Sequence, residues 1–463
     1  MARQLIYSNS QSGLDQLYVL IKANPSACNE IIILSDLTTQ HNNLKIVPLK
    51  HLDHHFYDQS KDLEILVYTP ISDFSSAIRD IRRLEILGFK TRLLPAMINW
   101  NSAIVKNQKT IPFSSKDIIK YPEFEVLSNF NFRGKSVLIS GAAGSLGTHL
   151  SKTLHSQGCS KLILIDHSEH LTSKLNQELN LEKPTNHSTI SIIVDVRDEI
   201  RLGQIFEDHK PDIVFHLAAY KHVELMETDP YSAFKVNVIG SRNIFEVALN
   251  CNTTQFNFIS TDKAVEPKCI MGFTKKIAEN LILNYTQNSM KVNILRFGNI
   301  LGSSGSVIEK FNSKLKHNQP LSITEANIYR YFNLIEDVVN FILISPFMAE
   351  HRETMVFYSG SDSSILSLAK AFLKLNGIQN NLNDYIEILD GNSFEKQKEK
   401  LFSNDEKVLN TNHPHIKKIS AKHNERLSKQ GAISNINHQL NQNRHLTLED
   451  FKVLVSTHNL QLH

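Results

Sequence analysis

The sequence predicts an α/β protein: a Rossmann-type doubly wound parallel sheet with a smaller C-terminal substrate lobe, preceded by a small Rossmann-like α/β domain. Three observations predict this fold. Short apolar runs typical of buried strands alternate with segments of helical periodicity. One strand leads directly into a glycine-rich turn between Gly141 and Gly147. Polar side chains follow several strands directly, at the position where open α/β sheets bind their ligands.

The composition is that of a globular protein. The chain has 463 residues, 41% of them hydrophobic and 21% charged, with a formal net charge of +3. This small charge does not indicate a nucleic-acid partner. No apolar run reaches the roughly 18 residues of a membrane span, and the N-terminus lacks a signal-peptide core, so a cytoplasmic protein is expected. The four cysteines form no Cys-x-x-Cys pair and the histidines lack ligand spacing, so no metal site is predicted.

Residues 1–110 are predicted to form the small α/β domain, and residues 111–133 a linker. Strand-like and helical segments alternate in this part of the chain, which indicates a parallel sheet. Its first turn contains the single glycine Gly13, where a dinucleotide site has three. We therefore expect a degenerate nucleotide-binding-like domain that supports assembly rather than chemistry.

Residues 134–400 are predicted to be the NAD-binding catalytic domain, because its first strand ends in a Gly-x-x-Gly-x-x-Gly turn. Glycines allow the tight turn and let a helix N-terminus face a pyrophosphate. Asp166 ends the second strand at the spacing of an acid that binds a ribose 2′-hydroxyl. A carboxylate there repels a 2′-phosphate, which favours NAD over NADP. The predicted cofactor-binding residues are Gly141, Gly144, Ser145, Leu146, Gly147, Asp166, His167, Ser168, Asp195, Val196, Ala218, Ala219, Tyr220, Asn237 and Lys275.

A reactive centre is predicted after the strand that ends in Ser260 and Thr261. Asp262 and Lys263 follow at once, so an acid and an amine lie at the mouth of the sheet. A helix begins near Met271 and carries Lys275 one turn later, on the same face. The alternative is a polar loop whose aspartate caps a helix and whose lysines are solvated.

Taken together, these motifs resemble the extended short-chain dehydrogenase/reductases. Residues 134 to about 345 are similar to the UDP-N-acetylglucosamine 4,6-dehydratases of bacterial polysaccharide synthesis, the CapD-like group. The motifs that carry the resemblance are Gly141-Ala-Ala-Gly-Ser-Leu-Gly147, Asp166-His-Ser-Glu169, Asp195-Val-Arg-Asp198, His216-Leu-Ala-Ala-Tyr-Lys-His222, Ser260-Thr-Asp-Lys-Ala264, Met271-Gly-Phe-Thr-Lys275 and Arg296-Phe-Gly-Asn299.

The resemblance implies an NAD-dependent hydro-lyase that acts on a UDP-sugar, and a homo-oligomer is expected. In this chemistry NAD oxidises sugar C4, which acidifies the C5 proton, and water then leaves from C6. The resemblance assigns the acid to Asp262, the base to Lys263, a hydrogen bond to the C4 oxygen to Thr261 and ribose binding to Lys275. The candidate substrate-binding residues are Lys221, His222, Asn299, Arg330 and Lys396.

Three positions differ from the family pattern. Met271 stands where the superfamily has tyrosine, as in one branch of the dehydratases, and a thioether cannot act as acid or base. Ser304 and the segment 396–400 replace stretches that contain arginine in the family, and lysine does not reproduce the bidentate grip of arginine on phosphate. Two alternatives therefore remain: an epimerase or C5-inverting dehydratase, and a non-catalytic sugar-nucleotide binding protein. Residues 401–463 are predicted to be a C-terminal extension. Helices are predicted at 231–250 and at 394–402, and a final amphipathic stretch near 447–457.

Overall fold

The computed structural model describes residues 4–8, 31–34, 46–47, 64–68, 74–86, 89–94, 111–112, 118–119, 124, 131–181, 188–285, 290–360, 362–376, 378, 380–420, 430–442, 449–451 and 453. The predicted turn around Gly13 lies outside these residues. The chain divides into two compact units: Met1–Glu123, Ser304–Leu334 and Ser361–Gly391 form the first, and Phe124–Ser303, Ile335–Gly360 and Asn392–His463 form the second. Within the described ranges, no helix is long and apolar enough to cross a membrane.

The secondary structure alternates between strands and helices, as the periodicity predicts. The strands of the described residues are β1 (Gln4–Tyr7), β2 (Ile31–Leu34), β3 (Ile46–Val47), β4 (Glu64–Tyr68), β5 (Lys90–Leu94), β6 (Ile111–Pro112), β7 (Ser136–Ser140), β8 (Lys161–Asp166), β9 (Ser188–Ile193), β10 (Ile213–His216), β11 (Gln255–Thr261), β12 (Lys291–Phe297), β13 (Asn299–Ile300), β14 (Leu321–Thr324), β15 (Tyr329–Arg330), β16 (Phe332–Asn333), β17 (Glu353–Phe357), β18 (Ser363–Ser364), β19 (Ile386–Leu389), β20 (Lys407–Asn410) and β21 (Ile416–Ser420). Their helices are α1 (Phe74–Ile86), α2 (Ser145–Gln157), α3 (Glu169–Asn180), α4 (Glu199–His209), α5 (Val223–Thr228), α6 (Pro230–Phe234), α7 (Ser241–Asn250), α8 (Ile270–Leu283), α9 (Val307–Lys316), α10 (Ile335–Met348), α11 (Ile365–Leu375) and α12 (Gln430–Gln442).

The first unit contains a six-stranded sheet in the order β3-β2-β1-β4-β5-β6. Its first five strands are parallel, and β6 is antiparallel to β5. Reversal of strand order after β1 is the doubly wound arrangement. Helix α1 buries Ala77, Ile78, Ile81 and Leu84, which the helical repeat places on one face. The same unit contains two small strand pairs, the parallel β14–β19 and the antiparallel β15–β18.

The second unit is built on a nine-stranded sheet in the order β20-β21-β17-β12-β11-β10-β7-β8-β9. The seven strands from β9 to β17 are parallel, and their apolar runs, such as Leu162 to Ile165, are buried. The chain proceeds outwards from β7 to β9 and then restarts at β10 on the other side of β7. The carboxyl ends of β7 and β10 therefore flank the topological switch point, where this fold binds ligands.

Helices cover both faces of this sheet, since parallel crossovers are right-handed and the direction of winding reverses at β7. One face packs against α4, α7 and α8 through a continuous apolar cluster that includes Phe206, Phe245, Phe256 and Ile282. Each of these side chains is almost fully buried, which stabilises the fold by about 1.5–3 kcal/mol per side chain. The site described below is thus held on a rigid, close-packed support.

Three segments differ from the sequence-based expectation. The predicted long helix at 231–250 consists of α6, a π-helical turn at Lys235–Gly240 and α7. Residues 394–402 form irregular chain with bends rather than a helix. The predicted extension 401–463 contributes β20 and β21, which pair antiparallel next to β17 and complete the large sheet. Pairing with the distant strand β17 therefore places part of the extension in the sheet.

Candidate active site

The glycine turn after β7 is shaped both by protein packing and by space for a ligand. Gly141 has a φ of +69°, and a Cβ there would lie 2.8 Å from the backbone nitrogen of Ala218. A Cβ on Gly147 would lie 2.1 Å from the carbonyl oxygen of Gly141, so α2 packs directly onto the turn. At Gly144 an added Cβ would meet only that same oxygen, at 3.4 Å. Packing therefore demands Gly141 and Gly147, whereas the bare backbone at Gly144 suits a closely approaching ligand.

The N-terminus of α2 is available to an anion. Its cap residue is Gly144, so no side chain of the cap covers the helix end, and the first turn contains the predicted residues Ser145 and Leu146. Amide groups at a helix N-terminus, together with the helix dipole, form a binding site for phosphate. This end of α2 fits the pyrophosphate of a dinucleotide.

Asp166 fixes the turn to the end of β8. Its buried carboxylate accepts hydrogen bonds from the backbone nitrogens of Ala143 at 3.1 Å and Ser168 at 3.0 Å. The exposed ring of His167 lies 3.4 Å from the same carboxylate. An ionised carboxylate can accept about four hydrogen bonds, so two backbone contacts leave capacity for a ribose hydroxyl. Asp166 thus has a structural task in addition to its predicted contact with the ribose.

A buried hydrogen-bond chain joins the strand ends at the switch point. Ser241 Oγ donates its hydrogen bond to the carbonyl oxygen of Asn237 and lies 2.9 Å from His216 Nε2, so it accepts a hydrogen bond from the Nε2–H group. His216 Nδ1 then accepts from Ser140 Oγ at 2.6 Å, while Ser140 Oγ accepts from the backbone nitrogen of Ala218 at 3.4 Å. Burial, aided by the charge of Lys275, lowers the pKa of His216 to about 3 and keeps the ring neutral. Sequence reasoning assigned no role to Ser140 or His216, although His216 opens a quoted motif.

Two more of the predicted cofactor-binding residues, Asp195 and Asn237, make polar contacts of their own. Asp195 binds Arg197 through a side-chain pair of 2.6 Å, which lowers the pKa of Asp195. Asn237 lies in the π-helical turn, where its amide brackets the backbone of Tyr220 at 2.8 and 3.0 Å and also donates to Thr274. Single π turns often occur at functional sites. Asn237 therefore orients the loop after β10, in which Ala219 and the exposed Lys221 and His222 also lie.

The predicted reactive residues meet at the end of β11. The fully buried Asp262 accepts at Oδ1 from Thr261 Oγ1 at 2.9 Å and from Lys263 Nζ at 3.0 Å. Lys263 Nζ also donates to Asn299 Oδ1 at 3.1 Å. The second oxygen of Asp262, Oδ2, is buried and has no hydrogen-bond partner in the described part of the chain. A buried polar atom left unpaired is costly unless a ligand satisfies it.

A carboxylate that sequence reasoning did not select, Glu399, completes this cluster. Glu399 Oε1 lies 3.8 Å from Lys263 Nζ, and Glu399 Oε2 accepts from Lys396 Nζ at 3.0 Å. Lys396 also donates to the carbonyl oxygen of Val265 at 2.7 Å. The side chain of Lys396, a candidate substrate ligand, is thus bound to the turn that follows β11. Glu399 belongs to the segment 396–400, and the departure of this segment from the family pattern is the sequence feature that could have drawn attention to it.

Lys275 lies on α8 with its ammonium 3.8 Å from the centroid of the Phe258 ring. Burial lowers its pKa to about 7, against the opposing charge of Glu279. Met271, one turn earlier, is buried in an apolar cluster with Phe234 and Ile270. The pKa of the Lys275 amine is therefore close to neutral pH, and the thioether of Met271 occupies the position of the superfamily tyrosine.

Arg330, a predicted substrate-binding residue, belongs to the first compact unit and not to the second. It belongs to β15 of the first unit, where its guanidinium donates to the carbonyl oxygen of Tyr329 at 2.8 Å. Its contact with a substrate stays a prediction, as do the contacts of Lys221 and His222. Within the second unit, the structure brings together Thr261, Asp262, Lys263, Asn299 and Lys396.

The sheet order, glycine turn and strand-end cluster define a Rossmann-type protein of the extended short-chain dehydrogenase/reductase kind. A family model described as "Polysaccharide biosynthesis protein" matches residues 137–421, more than half of the chain. The chain belongs to this polysaccharide biosynthesis protein family.

Similar proteins agree with that placement. The capsular polysaccharide biosynthesis protein CapD of Staphylococcus aureus is 35% identical over 245 residues, which are 52% of this chain and 41% of that protein. The chain thus spans about two fifths of the length of this curated relative. A UDP-N-acetylglucosamine 4,6-dehydratase (inverting) of Campylobacter jejuni is 30% identical over 246 residues, covering 52% of this chain and 71% of that enzyme. The solved structure of Pen from Bacillus thuringiensis has a TM-score of 0.58 and 26% identity, covering 63% of this chain and 90% of that one.

Proposed function

We propose that the chain is an NAD-dependent 4,6-dehydratase that converts UDP-N-acetylglucosamine to its 4-keto-6-deoxy product for surface polysaccharide synthesis. The observation that carries this proposal is the contact of the buried Asp262 with the partly buried Lys263 at 3.0 Å, with Asp262 Oδ2 left unpaired among the described residues. An acid and an amine in contact suit an elimination, which needs one group to protonate a leaving hydroxyl and another to remove a proton. The similar enzyme of Campylobacter jejuni supports the choice of sugar.

The residues after β7, β8 and β10 fit NAD. The α2 N-terminus would hold the pyrophosphate, Asp166 the adenine ribose, and Lys275 the nicotinamide ribose. The carboxylate of Asp166 disfavours the 2′-phosphate of NADP. When bound, NAD supplies reversible oxidation at sugar C4. Lys275, whose pKa burial lowers to about 7, can exchange a proton near neutral pH.

The Asp262–Lys263 pair supplies the proton transfers at C5 and C6. The elimination needs Asp262 as a carboxylic acid and Lys263 as a neutral amine, joined by the 3.0 Å contact. Lys263 Nζ then takes the C5 proton while Asp262 donates its proton to the C6 hydroxyl, which leaves as water. Lys263 later returns its proton to C5, which leaves a neutral amine next to an ionised Asp262.

Thr261 offers a route for the C4 hydroxyl proton, since Met271 cannot accept it. Thr261 Oγ1 donates to Asp262 Oδ1 at 2.9 Å. A sugar hydroxyl hydrogen-bonded to Thr261 can pass its proton through the threonine hydroxyl to the carboxylate of Asp262. One carboxylate would then serve C4 as base and C6 as acid.

The test is turnover of UDP-N-acetylglucosamine by the purified full chain with NAD, with the product identified by NMR. We expect a 4-keto-6-deoxy sugar nucleotide from the wild type. Lys263→Ala should lower product formation by about 100- to 10,000-fold, the usual contribution of a general base, yet still give NADH absorbance. Lys400→Ala is the matched control, because Lys400 forms an exposed pair with Glu266 at 2.8 Å. Product formation by Lys263→Ala at the rate of the wild type would refute the assignment of Lys263 as the base.

The second candidate is a sugar-nucleotide binding protein without turnover, and the thioether of Met271 favours it. This protein would bind the sugar nucleotide but never reduce NAD. An epimerase would instead return a sugar nucleotide with one inverted carbon, and a C5-inverting dehydratase would give a 4-keto-6-deoxy product inverted at C5. The same NMR experiment in deuterated water separates all of these outcomes.

A further inference from the structure

The segment 396–400 lies along the catalytic turn that follows β11 and contacts it at three points. Lys396 Nζ donates to the carbonyl oxygen of Val265 at 2.7 Å. Glu399 Oε1 lies 3.8 Å from Lys263 Nζ, and Lys400 pairs with Glu266 at 2.8 Å. The first two contacts are partly buried and the third is exposed. The segment therefore has an inner edge that faces the reactive pair.

Charges alternate along this inner edge. Asp262 contacts Lys263, Lys263 lies next to Glu399, and Glu399 contacts Lys396. The side chain of Glu399 is only 4% exposed. A carboxylate that deep is stable only if cations and hydrogen bonds compensate for its lost hydration. Its two oxygens are divided between two lysines, so a change of charge at one lysine acts on the other through Glu399.

We propose that Glu399 is a positioning residue that holds the amine of Lys263 and, with Lys396 as its counter-charge, sets the proton affinity of that amine. The role of Glu399 in catalysis rests on the proposed function, in which the amine of Lys263 must be neutral to take the C5 proton. A carboxylate at 3.8 Å stabilises the ammonium form, and Lys396 partly offsets that effect. The segment 396–400 thus tunes the base that the end of β11 presents.

The other described groups near Lys263 are unchanged in the variants below or carry no charge. Asp262 contacts Lys263 in every variant, and Asn299 is uncharged. Burial raises the pKa of the Cys269 thiol to about 11, so this neighbour is neutral in the working range. Glu227 accepts from the backbone nitrogen of Ile270 at 2.7 Å, at the start of α8. Glu399 is the carboxylate whose other oxygen contacts Lys396.

The experiment measures how readily Lys263 reacts with an amine reagent as a function of pH, in the full chain. Competitive acetylation with isotopic acetic anhydride, followed by mass spectrometry, gives the midpoint at which the peptide containing Lys263 becomes reactive. Glu399→Gln should lower that midpoint by about one pH unit, the lower end of the effect of an opposite charge within 4–6 Å. Lys396→Gln should raise it, because the charge of Glu399 is then unopposed.

Two further variants separate charge from structure. Glu399→Asp keeps the charge and should leave the midpoint close to that of the wild type. Glu266→Gln breaks the exposed pair with Lys400 on the same segment and should not move it. Opposite shifts in Glu399→Gln and Lys396→Gln cannot arise from a general loss of folding. Equal midpoints in Glu399→Gln and Glu266→Gln would overturn the proposal.

The same variants separate this inference from the proposed function. In active protein, the acidic limb of the pH profile of kcat/KM should move with the labelling midpoint of Lys263. If the midpoints shift as expected but no variant, nor the wild type, forms product, the role of Glu399 stands and the dehydratase assignment fails. If product forms but neither the midpoints nor the profiles move, the dehydratase stands and the role of Glu399 is refuted.

Discussion

Asp166→Asn is the substitution that best tests the cofactor site, because one buried carboxylate serves both the turn and the proposed ribose contact. Its two oxygens accept from the backbone nitrogens of Ala143 and Ser168 at 3.1 and 3.0 Å. An amide has one oxygen and two N–H donors, so in either orientation one backbone N–H faces another donor. A buried donor without its acceptor costs about 1–3 kcal/mol. We expect the free energy of unfolding to fall by that amount.

The effect on cofactor affinity should differ between the two dinucleotides. A hydrogen bond from a ribose hydroxyl to an ionised carboxylate is worth about 1.5–3 kcal/mol, which is roughly 10- to 100-fold in the Kd for NAD. NADP loses less, since removal of the negative charge also relieves repulsion of its 2′-phosphate. Calorimetric titration of both dinucleotides, and denaturant unfolding without cofactor, measure the two effects separately.

Asp212→Asn is the matched control. Asp212 accepts from the backbone nitrogen of Ser136 at 2.8 Å, at the opposite end of β7 from the glycine turn. Its single hydrogen bond can be kept by the amide oxygen, so stability should change little and the Kd for NAD should not change. Equal fold-losses for NAD and NADP in Asp166→Asn, or a wild-type preference for NADP, would refute the ribose assignment.

Two further predictions concern α8. Glu279→Gln should lower the free energy of unfolding by about 3 kcal/mol, because the buried Arg296 loses the negative charge of its 3.0 Å partner and is left with Glu406 and the carbonyl oxygen of Leu401. The partly exposed pair of Lys152 with Glu178 gives the control Glu178→Gln, with less than about 1 kcal/mol expected in denaturant unfolding. Burial alone would raise the pKa of Glu279, but Arg296 and neighbouring cations lower it. The stabilisation by Glu279 is therefore present above pH ~4.3 and is lost as the pH falls, which denaturant unfolding at pH 3 and pH 7 will show. Equal stability of Glu279→Gln and the wild type at pH 7 would contradict this prediction. Met271→Tyr should keep product formation within about 10-fold of the wild type, because the proposed proton route passes through Thr261 and not through position 271. The larger buried side chain should lower stability by typically about 1–3 kcal/mol. A loss of product formation as large as that of Lys263→Ala would count against proton transfer through Thr261.

Most of the fold could be predicted from the sequence. The apolar runs of β7 and β8 and the glycine turn between β7 and α2 are local patterns, because burial and backbone freedom leave their mark on adjacent residues. The π-helical turn at Lys235–Gly240 and the irregular chain at 394–402 were predicted as helix. In both places long-range packing decides between local alternatives of similar energy.

The sequence by itself determined the α/β class, the family, the glycine turn and the presence of Asp262 and Lys263 side by side, since each depends on residues close together in the chain. Only the tertiary structure decided that Glu399 lies 3.8 Å from Lys263, that Lys396 binds Val265 and that β20 and β21 complete the sheet. These contacts join segments more than fifty residues apart along the chain. These contacts form only because the folded sheet brings distant segments side by side, and neither periodicity nor short motifs encode the spatial order of the strands.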